Sequence, residues 1–255
     1  MSTVVRRWGF PSISSRVRSA LVGVLALLAA QAAHPLVNAV AVDDDLFDRQ
    51  YPWAAAVVDP DSGGICGGTV IHPRWVLTAA HCTSGGRYVL IGDAERSAAR
   101  RVAVTRAIRH PQYSIDSMQN DVGLLYLAES VDVRPAALAT DISGRLLLRS
   151  RVAATIIGWG KTESSAKPVD RLRAARIYLE DYARAGTRYV YRYTAGPCAR
   201  DSGSPMLMRT LDGRWLVVGI ATATDGNLCA TGGGRAVYTS LYAVRDFIFE
   251  HVGSD

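Results

Sequence analysis

The chain has 255 residues, enough for one large domain or two small ones with a sizeable core. Its formal charge of +6 is not a property of the whole length: four of the 29 Lys+Arg lie in residues 1–39 and none of the 23 Asp+Glu does, which leaves 25 basic against 23 acidic side chains, a net +2 beyond residue 39. A nucleic-acid-binding protein keeps its positive charge on the folded part, so the charge balance argues against nucleic acid as a partner.

Residues 1–39 read as a secretory signal peptide. Arg6, Arg7, Arg16 and Arg18 make a basic start, and residues 20–33 an apolar stretch too short to span a bilayer comfortably. Val37-Asn38-Ala39 then offers small residues for cleavage. A membrane anchor is the competing reading of this stretch; cleavage leaves no stable anchor and sends residues 40–255 out of the cell as one domain.

From residue 40 onward the chain reads as many short strands. Candidates are residues 53–58, 69–71, 75–79, 88–91, 101–108 and 122–127, then 152–157, 174–179, 205–208, 215–222 and 236–240. Turn signals fall between them at Asp59-Pro-Asp-Ser-Gly-Gly64, Ser84-Gly-Gly86 and Asp212-Gly213. Short strands at this spacing predict an all-β sandwich or barrels. One helix is predicted, over residues 241–251, with Val244, Phe247, Ile248 and His251 on one face.

All four cysteines, Cys66, Cys82, Cys198 and Cys229, follow the leader, and an even count after a secretory signal favours disulfides. Four cysteines permit three pairings, which spacing alone leaves open. A structural metal site is the poorer reading, because neither Cys-x-x-Cys nor His-x-x-x-His spacing occurs. No clustered acidic loop for calcium is present either, and no cofactor is implied.

Three segments carry chemistry: Leu77-Thr-Ala-Ala-His81-Cys82, Asn120-Asp121-Val-Gly-Leu-Leu125, and Cys198-Ala-Arg-Asp-Ser202-Gly-Ser-Pro205. A serine hydroxyl needs a base within hydrogen-bond reach and a third group that orients the base. His81 suits the base, since imidazole titrates near ~6.5. Asp121 leads into an apolar run, where a carboxylate must be buried with a partner. Ser202 is the candidate nucleophile. Asp61-Ser62-Gly63-Gly64 is a competing serine motif, but its proline and its place between two strands mark a hairpin loop.

These segments, in their order along the chain, resemble the trypsin/chymotrypsin family of serine endopeptidases, over roughly residues 40–250. The resemblance implies two antiparallel six-stranded β-barrels with a C-terminal helix, the first over about 40–145 and the second over about 146–255, with the changeover near 141–151. It implies disulfides Cys66–Cys82 and Cys198–Cys229, oxyanion-binding N–H groups on Arg200 and Ser202, and protein or peptide substrates, with proteinaceous inhibitors as further partners. Oligomeric state is not legible.

The chain also departs from the family pattern. Glycine usually stands where Arg200 is, and a second glycine where Ser204 is. Resemblance places Gly196 at the base of the primary specificity pocket and Pro197, Thr224 and Ala236 along its walls. No carboxylate stands at Gly196, so small or medium apolar side chains are expected rather than Lys or Arg. Thr222 keeps a hydroxyl where the family has serine near the buried aspartate. The usual Ile-Val-Gly-Gly start is missing, and counting back from Pro52 makes Val40 the residue whose freed ammonium would pair with Asp201. Arg200 and this start leave a second reading open: a secreted homologue with weak or no catalysis, acting as a binding or regulatory protein.

Overall fold

The computed structural model describes residues 39–84, 87–141, 152–162, 167–185, 188–193, 196–225 and 234–253. Residues 1–38 of the leader, the expected changeover beyond Asp141, and Cys229 lie outside them. Two strand systems follow one another along the chain. The first contains β2 (Ala54–Asp59), β3 (Gly64–His72), β4 (Trp75–Thr78), β5 (Tyr88–Ile91), β6 (Arg100–Arg109) and β7 (Gly123–Leu127). The second contains β8 (Ala153–Gly158), β9 (Arg173–Tyr178), β10 (Glu180–Ala185), β11 (Arg188–Tyr193), β12 (Pro205–Arg209), β13 (Trp215–Asp225) and β14 (Gly234–Ser240), joined by β1 (Val40–Ala41) from the start of the described chain.

The first system closes as a barrel in the order β2-β3-β4-β7-β6-β5, so it has no free edge. Its first two strands are buried on both faces, which hides the polar/apolar alternation of a half-exposed strand. Small residues make this possible: Ala55 and Ala56 stand opposite Gly68 and Gly67. A Cβ on Gly68 would come within 2.8 Å of the Val76 side chain. Leu77, Val89, Val102 and Leu125 help to fill the interior.

The second system is an antiparallel sheet in the order β1-β9-β8-β12-β13-β14-β11-β10. Five of these strands, β8, β9, β12, β13 and β14, match the expected ones; β1, β10 and β11 were not expected and bring the sheet to eight. The all-β class with paired antiparallel sheets and a C-terminal helix therefore stands. Ile156, Ile177, Met206, Met208 and Tyr238 form the sheet's own apolar cluster.

Helix α2 (Leu241–Val252) matches the predicted one within a residue. Ser240 caps it, its hydroxyl accepting from the Ala243 N–H, and Leu241, Val244, Phe247 and Ile248 are buried. A second helix, α1 (Asp44–Gln50), was not expected. The Asp43 carboxylate accepts from the Leu46 N–H, Asp44 and Asp45 oppose the helix dipole, and Phe47 buries the inner face. The acidic run Asp43–Asp45 thus supplies the cap and first turn of a helix.

Among the described residues no helix is long and apolar enough to cross a membrane.

Candidate active site

His81 sits in a single 3₁₀ turn, Ala80–Cys82, that directly follows β4. A disulfide ties this turn to β3 through Cys82 and Cys66. Asp121 enters from the other direction, one residue after Asn120, whose φ of +54° is a left-handed conformation that Asn tolerates better than most residues. Gly123 begins β7 with no room for a side chain: a Cβ there would lie 2.3 Å from the Thr83 methyl. The turn and the strand therefore close onto each other, and the carboxylate meets the imidazole.

That contact is two-pointed. Asp121 Oδ2 lies 2.8 Å from His81 Nδ1, and Oδ1 accepts the His81 backbone N–H at 3.0 Å. Asp121 is fully buried while the His81 side chain keeps 29% exposure. A buried carboxylate with both oxygens engaged fixes the ring, holding the proton on Nδ1 and leaving Nε2 turned away from the carboxylate. Asp121 also makes its presence felt on Tyr113, whose phenol is pushed up by burial and then by the nearby negative charge.

Ser202 comes from the second strand system, on a tight turn before β12. Asp201 N–H donates to Cys198 O and Ser204 N–H to Asp201 O, which closes the turn. The Asp201 carboxylate points inward, accepting from Gly160 N–H at 2.8 Å and Cys198 N–H at 2.9 Å. Burial pushes its pKa up to about 7, against the lowering effect of those two donors. Gly158 and Gly160 are needed here: a Cβ on either would come within 2.1 to 2.6 Å of a carboxylate oxygen.

The turn also locks onto the barrel. Gly67 N–H donates to Ser202 O at 2.7 Å, and Thr78 Oγ1 donates to Gly67 O. Gly203, at φ +83°, fits against both: a Cβ would lie 2.3 Å from Gly67 O and 2.4 Å from Thr78 Oγ1. His81 and Ser202, the candidate base and nucleophile, so come to share one pocket of about 310 Å³, lined also by Arg200 and the Cys66–Cys82 bridge.

Arg200 has φ +78°, the left-handed region that glycine occupies without cost. The side chain therefore leaves the backbone in a glycine-like shape and is accommodated at the price of strain. Among the described residues neither the Arg200 nor the Ser202 N–H donates to a protein acceptor.

Comparison with known proteins decides the family. The Trypsin family model matches residues 43–248. The chain belongs to the trypsin family. A trypsin of Saccharopolyspora erythraea is 30% identical over 83% of this chain and 97% of its own length. Vitamin K-dependent protein C of Mus musculus is 26% identical, and that of Rattus norvegicus 27%, each over 79% of this chain. The matches span about half the length of those two mammalian relatives. Membership places the chain among serine-type endopeptidases.

In this trypsin-family protein a second pocket, of about 210 Å³, meets the first at Ser202 and is lined by Pro197, Cys198, Ala199, Thr222 and Thr224, with no acidic residue among the described lining. Gly196 is buried, and Ala236 pairs with Thr224 across β13 and β14 while packing into the second sheet's core. Neither lines the pocket. Thr222 does not bond the aspartate: its hydroxyl lies 2.9 Å from Thr239 Oγ1 and 3.3 Å from Ile220 O. Cys198 is disulfide-bonded, and its expected mate Cys229 lies outside the described residues.

Val40 and Asp201 are not brought together in the chain that still carries residues 1–39. Val40 pairs with Ala174 in β1 and is 58% exposed. Ser62 proves to be a turn residue, donating to Asp59, yet it lines the first pocket with Arg87. Neither residue's place there was legible, since both depend on how the Asp59–Gly64 turn sets Asp59 against Ser62 and Arg87. Cys66, His81 and Cys82 gather donor atoms within 4.8 Å of one another. Their sulfurs are spent in the disulfide and supply no thiolate, so the set does not fit a metal.

Proposed function

We propose that this protein is a secreted endopeptidase that cleaves protein or peptide substrates through an acyl-enzyme at Ser202. His81 takes the hydroxyl proton and later returns it to the leaving amine; Asp121 holds the ring and stabilises its cationic form. The N–H groups of Arg200 and Ser202 receive the developing oxyanion, an interaction worth ~3 kcal/mol per donor. The observation that carries this reading is the two-point His81–Asp121 contact, fully buried on its carboxylate side and opening onto the pocket that holds Ser202.

The uncharged second pocket would take the P1 residue, on the acyl side of the scissile bond. Its modest volume and its lack of a described carboxylate favour Ala, Val or Leu over Lys or Arg. The non-catalytic reading loses ground because Arg200 takes the backbone shape of the glycine it replaces.

A serine-directed phosphonate bearing an Ala or Val recognition group tests both levels. Labelling of the wild type, abolished in Ser202→Ala, is expected. Faster labelling by the Lys or Arg analogue would overturn the P1 assignment, and no labelling at all would overturn catalysis.

A further inference from the structure

The two pockets that meet at Ser202 are chemically unlike. On the reading above, His81 must hand its proton to the leaving amine, so the leaving peptide lies on the side where His81 stands. That is the first pocket, and its walls are charged. Asp59, Arg87 and Arg200 all line it, together with Ser62.

The charges do not cancel. The Asp59 carboxylate is held by the Asp61 N–H and the Ser62 hydroxyl, at 3.1 and 2.7 Å. It faces Arg87, which is almost wholly buried and whose ionisation is lowered by burial and supported by Asp59. Those two charges answer each other. Arg200 is different: it is exposed, and among the described residues it makes no hydrogen bond and no ion pair. Its side chain is nonetheless directed across the pocket mouth, since its guanidinium lies 3.2 Å from the point where a Gly64 Cβ would sit. The left-handed backbone at Arg200 fixes the direction from which the side chain leaves the turn.

We propose that Arg200 makes the leaving-group side of this site selective for a carboxylate, favouring Asp or Glu at the first or second residue beyond the scissile bond. A guanidinium is suited to this, because its planar fork matches a carboxylate and is weakly hydrated. The pair would be largely solvent-exposed, so its effect is modest, about fivefold.

The test holds the acyl part constant and varies those two residues among Glu, Gln and Lys, reading kcat/KM at low and high salt. The phosphonate label on Ser202 is run beside it. Wild type is expected to prefer Glu over Gln by about fivefold and Gln over Lys by a similar factor, with both ratios shrinking at high salt. Arg200→Glu should reverse the order, judged on ratios within the variant so that any change in its overall rate cancels. If that variant does not fold, the salt dependence of the wild-type ratios decides alone. A wild type that labels and cleaves without preferring Glu would overturn the proposal and leave catalysis standing, as would a preference unchanged in Arg200→Glu. An enzyme that neither labels nor cleaves would overturn both.

Discussion

At Arg200 a single dihedral angle resolves what the residue's name leaves open. An L-residue in the left-handed region is disfavoured by about 1–2 kcal/mol, and glycine gives part of that back through the greater freedom of its unfolded chain. Arg200→Gly should therefore raise the unfolding free energy by roughly 1 kcal/mol, seen as a higher midpoint in urea. An unchanged or lower midpoint would mean that the strain is absorbed elsewhere. The sequence signals that glycine is missing, yet it carries no information on whether the backbone moves or the arginine conforms. The same limit holds at Thr222, a hydroxyl of the right kind that lies against Thr239 of the neighbouring strand. His81 and Asp121 were legible for the opposite reason: an imidazole before a cysteine, and a carboxylate entering an apolar run, have few ways to be satisfied.

Among the elements, the 3₁₀ turn that carries His81 is the least self-sufficient. It has three residues and no side-chain cap, and the bond from Cys82 to β3 is its covalent tether. Replacing Cys66 and Cys82 together by alanine should cost about 3 kcal/mol, the size expected for a loop of this length. Phosphonate labelling should fall by more than the loss of folded protein explains, because the turn that positions the base is the part released. Parallel losses of fold and labelling would show that packing alone holds His81. Element by element, the long strands and α2 were readable because their apolar periodicity extends over several turns or pairs. Helix α1 was not, since seven residues hold too few repeats and its signal lies in the Asp43 cap. Strands β10 and β11 were missed as well; their charged and tyrosine-rich residues lack the apolar run that marks the others.

For the whole molecule, the decisive contacts run between the two strand systems. Asp201, held within the second system by the Gly160 and Cys198 N–H groups, ties stability to pH. In the folded chain its carboxyl keeps a proton up to about pH 7, whereas in the unfolded chain it releases it near 4. The folded state thus binds more protons across that window, and stability must fall as pH rises through it, by up to about 1.4 kcal/mol per unit. Asp201→Asn should remove this slope, so the variant gains on the wild type between pH 4 and 7 in urea titrations; parallel profiles would refute it. Any cation that reached the carboxylate would lower its pKa and erase the same slope. Gly203 has a consequence of another sort. The hydrogen atom in place of its side chain is a clearance, set by Gly67 O and Thr78 Oγ1 on the opposing barrel. Each sheet system closes its own hydrogen bonds, so a methyl group inserted at that clearance would leave both weaves intact and spread only the seam between them. The proposed catalysis then depends on the fit between two parts, and that fit can vanish while each part still looks whole.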